Sequence, residues 1–300
     1  MSFDPLLRKV LRRIPLTGDL SIMRTRPTDP VALIGFGAIA QTLVGVLFDA
    51  GFAVPLVVLV RPDKQAKAQG VLAGIAAGRC TSVQCVTSVE DLLKAGPQVV
   101  VECAGHSAVA QFGPAVVSHG TDLIIASVGA LADDALFDGL KAAADESGAQ
   151  VTVPAGAIGG IDALAAARIA GVDRVVYTGR KPPQAWVGSP AEDRVDLGAL
   201  TSPTVFFEGT ARQAAAAFPK NANVAATLAL AGLGMDLTEV QLIADPTVRD
   251  NAHEYRVTSA VVDYTMVLTG KPSALNPKTS QSTVYSLARA VLTRSDVVVI

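Results

Sequence analysis

Val31-Ala-Leu-Ile-Gly-Phe-Gly-Ala-Ile-Ala40 decides the reading of the chain. Val31 to Ile34 are four apolar residues in a row, the composition of a parallel strand buried on both faces. Gly35, Gly37 and Ala40 follow in G-x-G-x-x-A spacing. Ile39, Leu43, Val46, Leu47 and Ala50 then recur on one face of a helix. The spacing alone is a weak signal, because glycine turns are common. Set between a strand and an amphipathic helix, it is the fingerprint of a dinucleotide site. Gly35 permits the tight turn, Gly37 lets the backbone approach a pyrophosphate, and Ala40 lets helix and strand pack closely. The helix start presents unpaired N–H groups and a partial positive charge to phosphates.

Working outward, Pro55 to Val60 reads as a second buried strand, closed by Arg61. A ribose without a 2′-phosphate is usually held by an acid near this strand end. Asp63 lies two residues further on, while Arg61 suits a 2′-phosphate or stacking on adenine, so both NAD and NADP stay open. Lys64 to Gly78 looks helical, Ser82 to Val86 extended, and Val89 to Ala95 helical behind a Ser88 cap. Gln98 to Glu102 is the next buried strand. It runs into the small-residue turn Cys103-Ala104-Gly105-His106-Ser107, and Thr121 to Ser127 repeats the pattern before Val128-Gly129-Ala130. Ligands of open parallel sheets sit beyond the carboxyl ends of strands, which puts both turns beside a cofactor. With one more strand at Ala149 to Val153, residues 30–153 form a doubly wound Rossmann-type domain of the α/β class.

Pro154 to Asp162 is a glycine-rich entry to a helix, and beyond it the texture changes. Arg174 to Arg180 alternates like a half-exposed strand, and a Pro- and Gly-rich loop spans Lys181 to Ser202. Thr204 to Gly209 is extended, and two helices meet at Pro219. Thr238 to Ala244, His253 to Ala260 and Val262 to Leu268 alternate as antiparallel strands. Residues 154–272 are therefore expected to form a second α+β domain with a mostly antiparallel sheet. The amphipathic stretch Gln281 to Leu292, within 273–300, is expected to return to the first domain.

The 300 residues carry a net charge of −2, which favours neither nucleic acid nor an anionic membrane as partner. The apolar window 31–60 is interrupted by Gly35, Gly37, Gly45, Asp49, Gly51 and Pro55 and is not read as a membrane span. Cys80, Cys85 and Cys103 form no CxxC pair and read as reduced thiols of a cytoplasmic protein, with no metal site. Residues 1–29 are a basic N-terminal arm without the apolar core of a secretory signal.

A dinucleotide domain implies hydride transfer, which needs a proton donor or acceptor beside the reacting carbon. The chain has three histidines. His119 reads as a helix-end residue. His106 opens a helix at the cofactor crevice. His253 sits in a polar turn where Asp250 or Glu254 is placed to orient it. Asn223 reads as a helix cap or a contact to the nicotinamide carboxamide, and Lys220 as a partner for a substrate carboxylate.

Five segments together resemble the L-aspartate dehydrogenases. They are Gly35-Phe-Gly-Ala-Ile-Ala40, Ser127-Val-Gly-Ala-Leu131, Gly156-Ala-Ile-Gly-Gly-Ile-Asp162, Phe218-Pro-Lys-Asn-Ala-Asn-Val224 and Asp250-Asn-Ala-His-Glu254. The resemblance covers roughly residues 30–292. It implies NAD(P)-dependent oxidation of L-aspartate to iminosuccinate, which hydrolyses to oxaloacetate and ammonia, with the imine able to feed NAD biosynthesis. It also implies a homodimer, His253 as the active-site residue, and cofactor contacts at Ala157 and Asn223. Gly35, Phe36, Gly37, Ala38, Ile39, Arg61, Ala104 and Ala130 complete the expected cofactor site. An imidazole titrating near its ordinary value, about 6.5, would either accept the ammonium proton or polarise the imine and activate water. Rival readings are a homoserine dehydrogenase-type or dihydrodipicolinate reductase-type enzyme, and a non-catalytic NAD(P) sensor.

Overall fold

Buried apolar runs become six short strands: β1 (Val31–Ile34), β2 (Leu56–Leu59), β3 (Val83–Val86), β4 (Val99–Glu102), β5 (Asp122–Ile125) and β6 (Val151–Thr152). They line up as β3-β2-β1-β4-β5-β6, with every neighbouring pair parallel. The computed structural model describes residues 29–80, 82–219, 222–271, 280–296 and 298–299. Except for Asp29, the N-terminal arm lies outside the described residues, as do Lys220 and Asn221.

Helices α1 (Ala38–Asp49), α2 (Gln65–Ala76), α3 (Val89–Lys94), α4 (His106–Ser118) and α5 (Asp134–Ser147) cover this sheet. Successive side chains of β1 feed opposite cores. Val31 and Leu33 join Leu43, Leu47 and Leu72, while Ala32 and Ile34 join Val109, Val116 and Leu140. This explains the uninterrupted hydrophobicity of the strand, since both of its faces are covered. The strand order reverses between β1 and β4, the switch point at which doubly wound sheets open a crevice.

The second sheet comprises β7 (Val172–Lys181), β8 (Thr204–Thr210), β9 (Glu239–Ala244), β10 (Ala252–Ser259) and β11 (Tyr264–Thr269), in the order β11-β10-β7-β9-β8. Helices α6 (Ile161–Ala170), α7 (Ala211–Ala217) and α8 (Asn223–Ala231) pack on it, around Leu164, Tyr177, Leu228 and Tyr255. Three of the pairings are antiparallel, but β9 runs parallel to β7, against the expectation for Thr238 to Ala244. The reason is topological. β7 and β8 point in opposite directions, so a strand inserted between them must run with one and against the other. The long loop also begins later than expected. Pairing with Ala244 carries β7 through Lys181, a residue assigned above to the loop.

Helix α9 (Gln281–Leu292) lays Val284, Leu287, Ala288 and Val291 into the first core beside α1. Among the described residues no helix is long and apolar enough to cross a membrane.

Candidate active site

The glycine turn is built as a dinucleotide site requires. Gly35 has φ +87°, and a Cβ there would come within 2.7 Å of the Ala104 Cβ, so the turn is pressed against the end of β4. Gly37, by contrast, faces open space, and no side chain caps the N–H groups at the start of α1. Free amides, a positive helix end and no obstructing Cβ fit a pyrophosphate.

Glu102 fixes the two neighbouring turns. It ends β4 fully buried. Its Oε1 accepts from the backbone N–H groups of Ala104 and Gly105 (2.7 Å each) and from Ser127 Oγ (3.0 Å). Its Oε2 accepts from the Ser127 N–H at 2.9 Å. One carboxylate thus ties the loop after β4 to the loop after β5. Burial, then the nearby Glu102 carboxylate, push the Cys103 thiol well above its ordinary range.

Beyond these turns a cleft of about 650 Å³ separates the two domains. Its first-domain wall includes Ile39, Ala104 and His106, and the crossover from β6 to α6 adds Pro154 to Ala157. That crossover is tethered on both sides. Gly156 donates its N–H to Ser286 Oγ on α9 (2.9 Å), and Tyr255 donates its hydroxyl to the Gly159 carbonyl (2.8 Å). The second-domain wall includes Lys181, Asn223 and His253.

His253 pairs with Gly179 across the β7–β10 ladder. On β7, Tyr177, Gly179 and Lys181 share one face by strand alternation, and all three are buried. Tyr177 Oη and His253 Nδ1 are 2.8 Å apart, and the two rings stack at 18°. Gly179 makes the contact possible, because a Cβ there would sit 2.8 Å from the Tyr177 hydroxyl. A buried hydroxyl whose partner is one ring nitrogen satisfies its proton by donating. Tyr177 therefore sets Nδ1 as acceptor and leaves the ring proton on Nε2, the nitrogen remaining for the cleft.

The expectation of an ordinary imidazole fails here. His253 is 6% exposed. Burial, reinforced by the Lys181 charge, lowers its pKa to about 4, so the ring is neutral at physiological pH. Neither Asp250 nor Glu254 orients it; Asp250 faces Lys271 at 3.9 Å. Lys181 is itself 8% exposed, lies 4.6 Å from the Trp186 ring centre, and is lowered by burial to about 8. Burial also pushes the Tyr177 phenol up.

Of the cofactor residues expected from the sequence, Ile39, Ala104, Ala157 and Asn223 line the cleft together with His253. Gly35 to Ala38 form the turn leading to it. Arg61 lies at the end of β2 with its side chain 77% exposed, 3.8 Å from Asp63. Ala130 is buried in the short turn Val128–Ala132, whose first residue reaches the cleft. Asn223 does not cap its helix; it opens α8 and accepts from the Gly129 N–H (3.0 Å), with His106 Nε2 at 3.3 Å. His119 ends α4 and meets Thr121 Oγ1 at 3.1 Å. Tyr177, Lys181 and Glu102 went unmarked in the sequence. The signal for the first two was the shared parity of positions 177, 179 and 181; Glu102 offered none, since only the fold shows its four donors.

Doubly wound sheet, glycine turn and interdomain cleft together define the NAD(P)-dependent dehydrogenase class. Comparison with known proteins narrows it. Residues 35–154 match the family described as homoserine dehydrogenase, NAD binding domain, and residues 162–294 match aspartate dehydrogenase, C-terminal. The L-aspartate dehydrogenase of Ralstonia pickettii is 46% identical over 276 residues, covering 89% of this chain and 98% of that protein. That of Ralstonia nicotianae is 53% identical over 202 residues, 67% of this chain and 75% of that protein. The crystal structure of aspartate dehydrogenase from Thermotoga maritima superposes with a TM-score of 0.69 at 26% identity, covering 91% of this chain and 99% of that one. The chain belongs to the L-aspartate dehydrogenase family.

Proposed function

We propose that the protein oxidises L-aspartate to iminosuccinate with NAD(P) as hydride acceptor, and runs the reverse amination of oxaloacetate with ammonia. The carrying observation is the placement of His253. A neutral imidazole with one nitrogen fixed by Tyr177 faces the same cleft as the cofactor turns. When bound, the nicotinamide supplies hydride acceptance. The α1 N-terminus would hold the pyrophosphate, with Glu102 keeping the turns at the ends of β4 and β5 in place.

His253 then acts as a hydrogen-bond donor. With its proton on Nε2 and its pKa low, it is suited to position the substrate by a hydrogen bond during hydride transfer and then to polarise the C=N bond and orient the water that attacks it, rather than to store the ammonium proton at rest. Arg61, exposed at the end of β2, is read as the partner of the 2′-phosphate of NADP, and Asp63 as that of the ribose of NAD. The homoserine-type alternative rests on the first half alone, since the second half matches the aspartate family. The working form is read as a cytoplasmic homodimer, in line with the family resemblance, and light scattering on the purified protein measures its assembly state.

The test is an initial-rate assay of oxaloacetate plus ammonia with NADH and NADPH side by side. Turnover with either supports the reading. Cofactor binding without turnover, or turnover only with homoserine-type substrates, overturns it.

A further inference from the structure

A diacid entering this cleft needs a cation at the end of the substrate remote from the reacting carbon. Arg61 stands at the end of β2, and Arg180, the neighbour of Lys181, points to the opposite face of the strand and pairs with Asp245 at 2.6 Å. Lys181 is placed differently. It lines the cleft, it is almost wholly buried, and it shares the face of β7 that carries Tyr177 and abuts His253.

Its position along the strand also matters. Lys181 lies two residues beyond Gly179, the residue paired with His253. Two residues of strand span about 7 Å. That offset suits a substrate whose amino carbon is met by His253 and whose far carboxylate is met by Lys181. The α-carboxylate is bonded to the reacting carbon itself and stays close to the imidazole. The Trp186 ring, 4.6 Å from Nζ, also meets the ammonium.

We propose that Lys181 is the specificity-determining residue of the site: its ammonium holds the side-chain carboxylate of the dicarboxylic substrate, and so selects aspartate over neutral amino acids. The proposal rests on the aspartate reading above and names the group that enforces it. A buried cation meeting a carboxylate discriminates strongly, because a neutral side chain offers it no charge-assisted hydrogen bond.

The experiment compares the wild type with Lys181→Met and Lys181→Arg, using L-aspartate and L-asparagine as substrates. It also includes direct titration of the NADH-loaded enzyme with succinate, a dicarboxylate with no amine. The wild type should prefer aspartate, and Lys181→Met should lower kcat/KM for aspartate by at least about 100-fold. Asparagine turnover should hold steady, the preference collapse, NADH affinity stay unchanged and succinate binding disappear; Lys181→Arg should recover part of each. Equal losses on aspartate and asparagine, or retained succinate binding in Lys181→Met, would overturn the proposal. If the wild type turned over no aspartate yet bound succinate in a Lys181-dependent way, the reaction would be wrong and the anchor right.

Discussion

Glu102→Gln changes one atom of a side chain that accepts four hydrogen bonds, and its cost can be worked from the contacts. Oε1 takes three donors, from Ala104, Gly105 and the Ser127 hydroxyl; Oε2 takes the Ser127 N–H. The glutamine oxygen can serve the first group, but its NH₂ then faces the Ser127 N–H, donor against donor. Losing that charge-assisted bond costs about 1.5–3 kcal/mol, and the remaining three weaken as the acceptor loses its charge. The sum is roughly 3–4 kcal/mol. Glu102→Ala orphans the buried Ser127 N–H and the partly buried N–H groups of Ala104 and Gly105, and at about 1–3 kcal/mol for a fully buried donor and less for the other two should cost roughly 3–5 kcal/mol. Urea denaturation reads these values as midpoint shifts. Because the tied turns line the cleft, NADH titration by fluorescence should show affinity weakened about tenfold or more in Glu102→Gln. A loss under about 1 kcal/mol with unchanged NADH affinity would refute the view that this carboxylate organises the cofactor side.

Tyr177→Phe removes the donor to His253 Nδ1; kcat should drop roughly tenfold, the worth of about one hydrogen bond, with the KM for aspartate little changed. Gly179→Ala should act similarly by pushing the Tyr177 hydroxyl aside, and the double variant should lose little more than either single one. The depressed pKa of His253 has a stability signature. The unfolded ring takes a proton near pH 6.5 and the folded ring only near about 4. Stability is therefore full above about 6.5 and falls by about 3 kcal/mol as pH drops to about 4. A pH series of urea melts should show this loss in the wild type and not in His253→Asn. Arg61→Ala should weaken NADPH about tenfold to hundredfold, as loss of a charge-assisted phosphate contact, while NADH binding measured the same way holds.

Local signals made the first domain readable. Val31 to Ile34, Leu56 to Leu59 and Val99 to Val101 are apolar because the sheet is covered on both faces, and Gly35 is forced by a positive φ against Ala104. The second domain was legible as strands and helices but not in the direction of β9, which depends on which strands flank it. His253 stood out as a polar residue beside a strand. Its neutrality did not, because the burial of the ring beside Tyr177 and the charge of Lys181 come from residues far from it in sequence. Lys181 was hidden for a related reason. A lysine followed by two prolines reads as a loop until pairing with β9 extends the strand through it.

The most direct measurement uses L-aspartate deuterated at Cα, mixed with the enzyme and NAD(P), with the reduced cofactor examined by mass spectrometry. The account predicts one deuterium on the nicotinamide ring, transferred about 10² to 10³ times more slowly by His253→Ala, the cost of losing one positioned donor, with NADH binding intact. Reduced cofactor without deuterium, or transfer at an undiminished rate in His253→Ala, would contradict it.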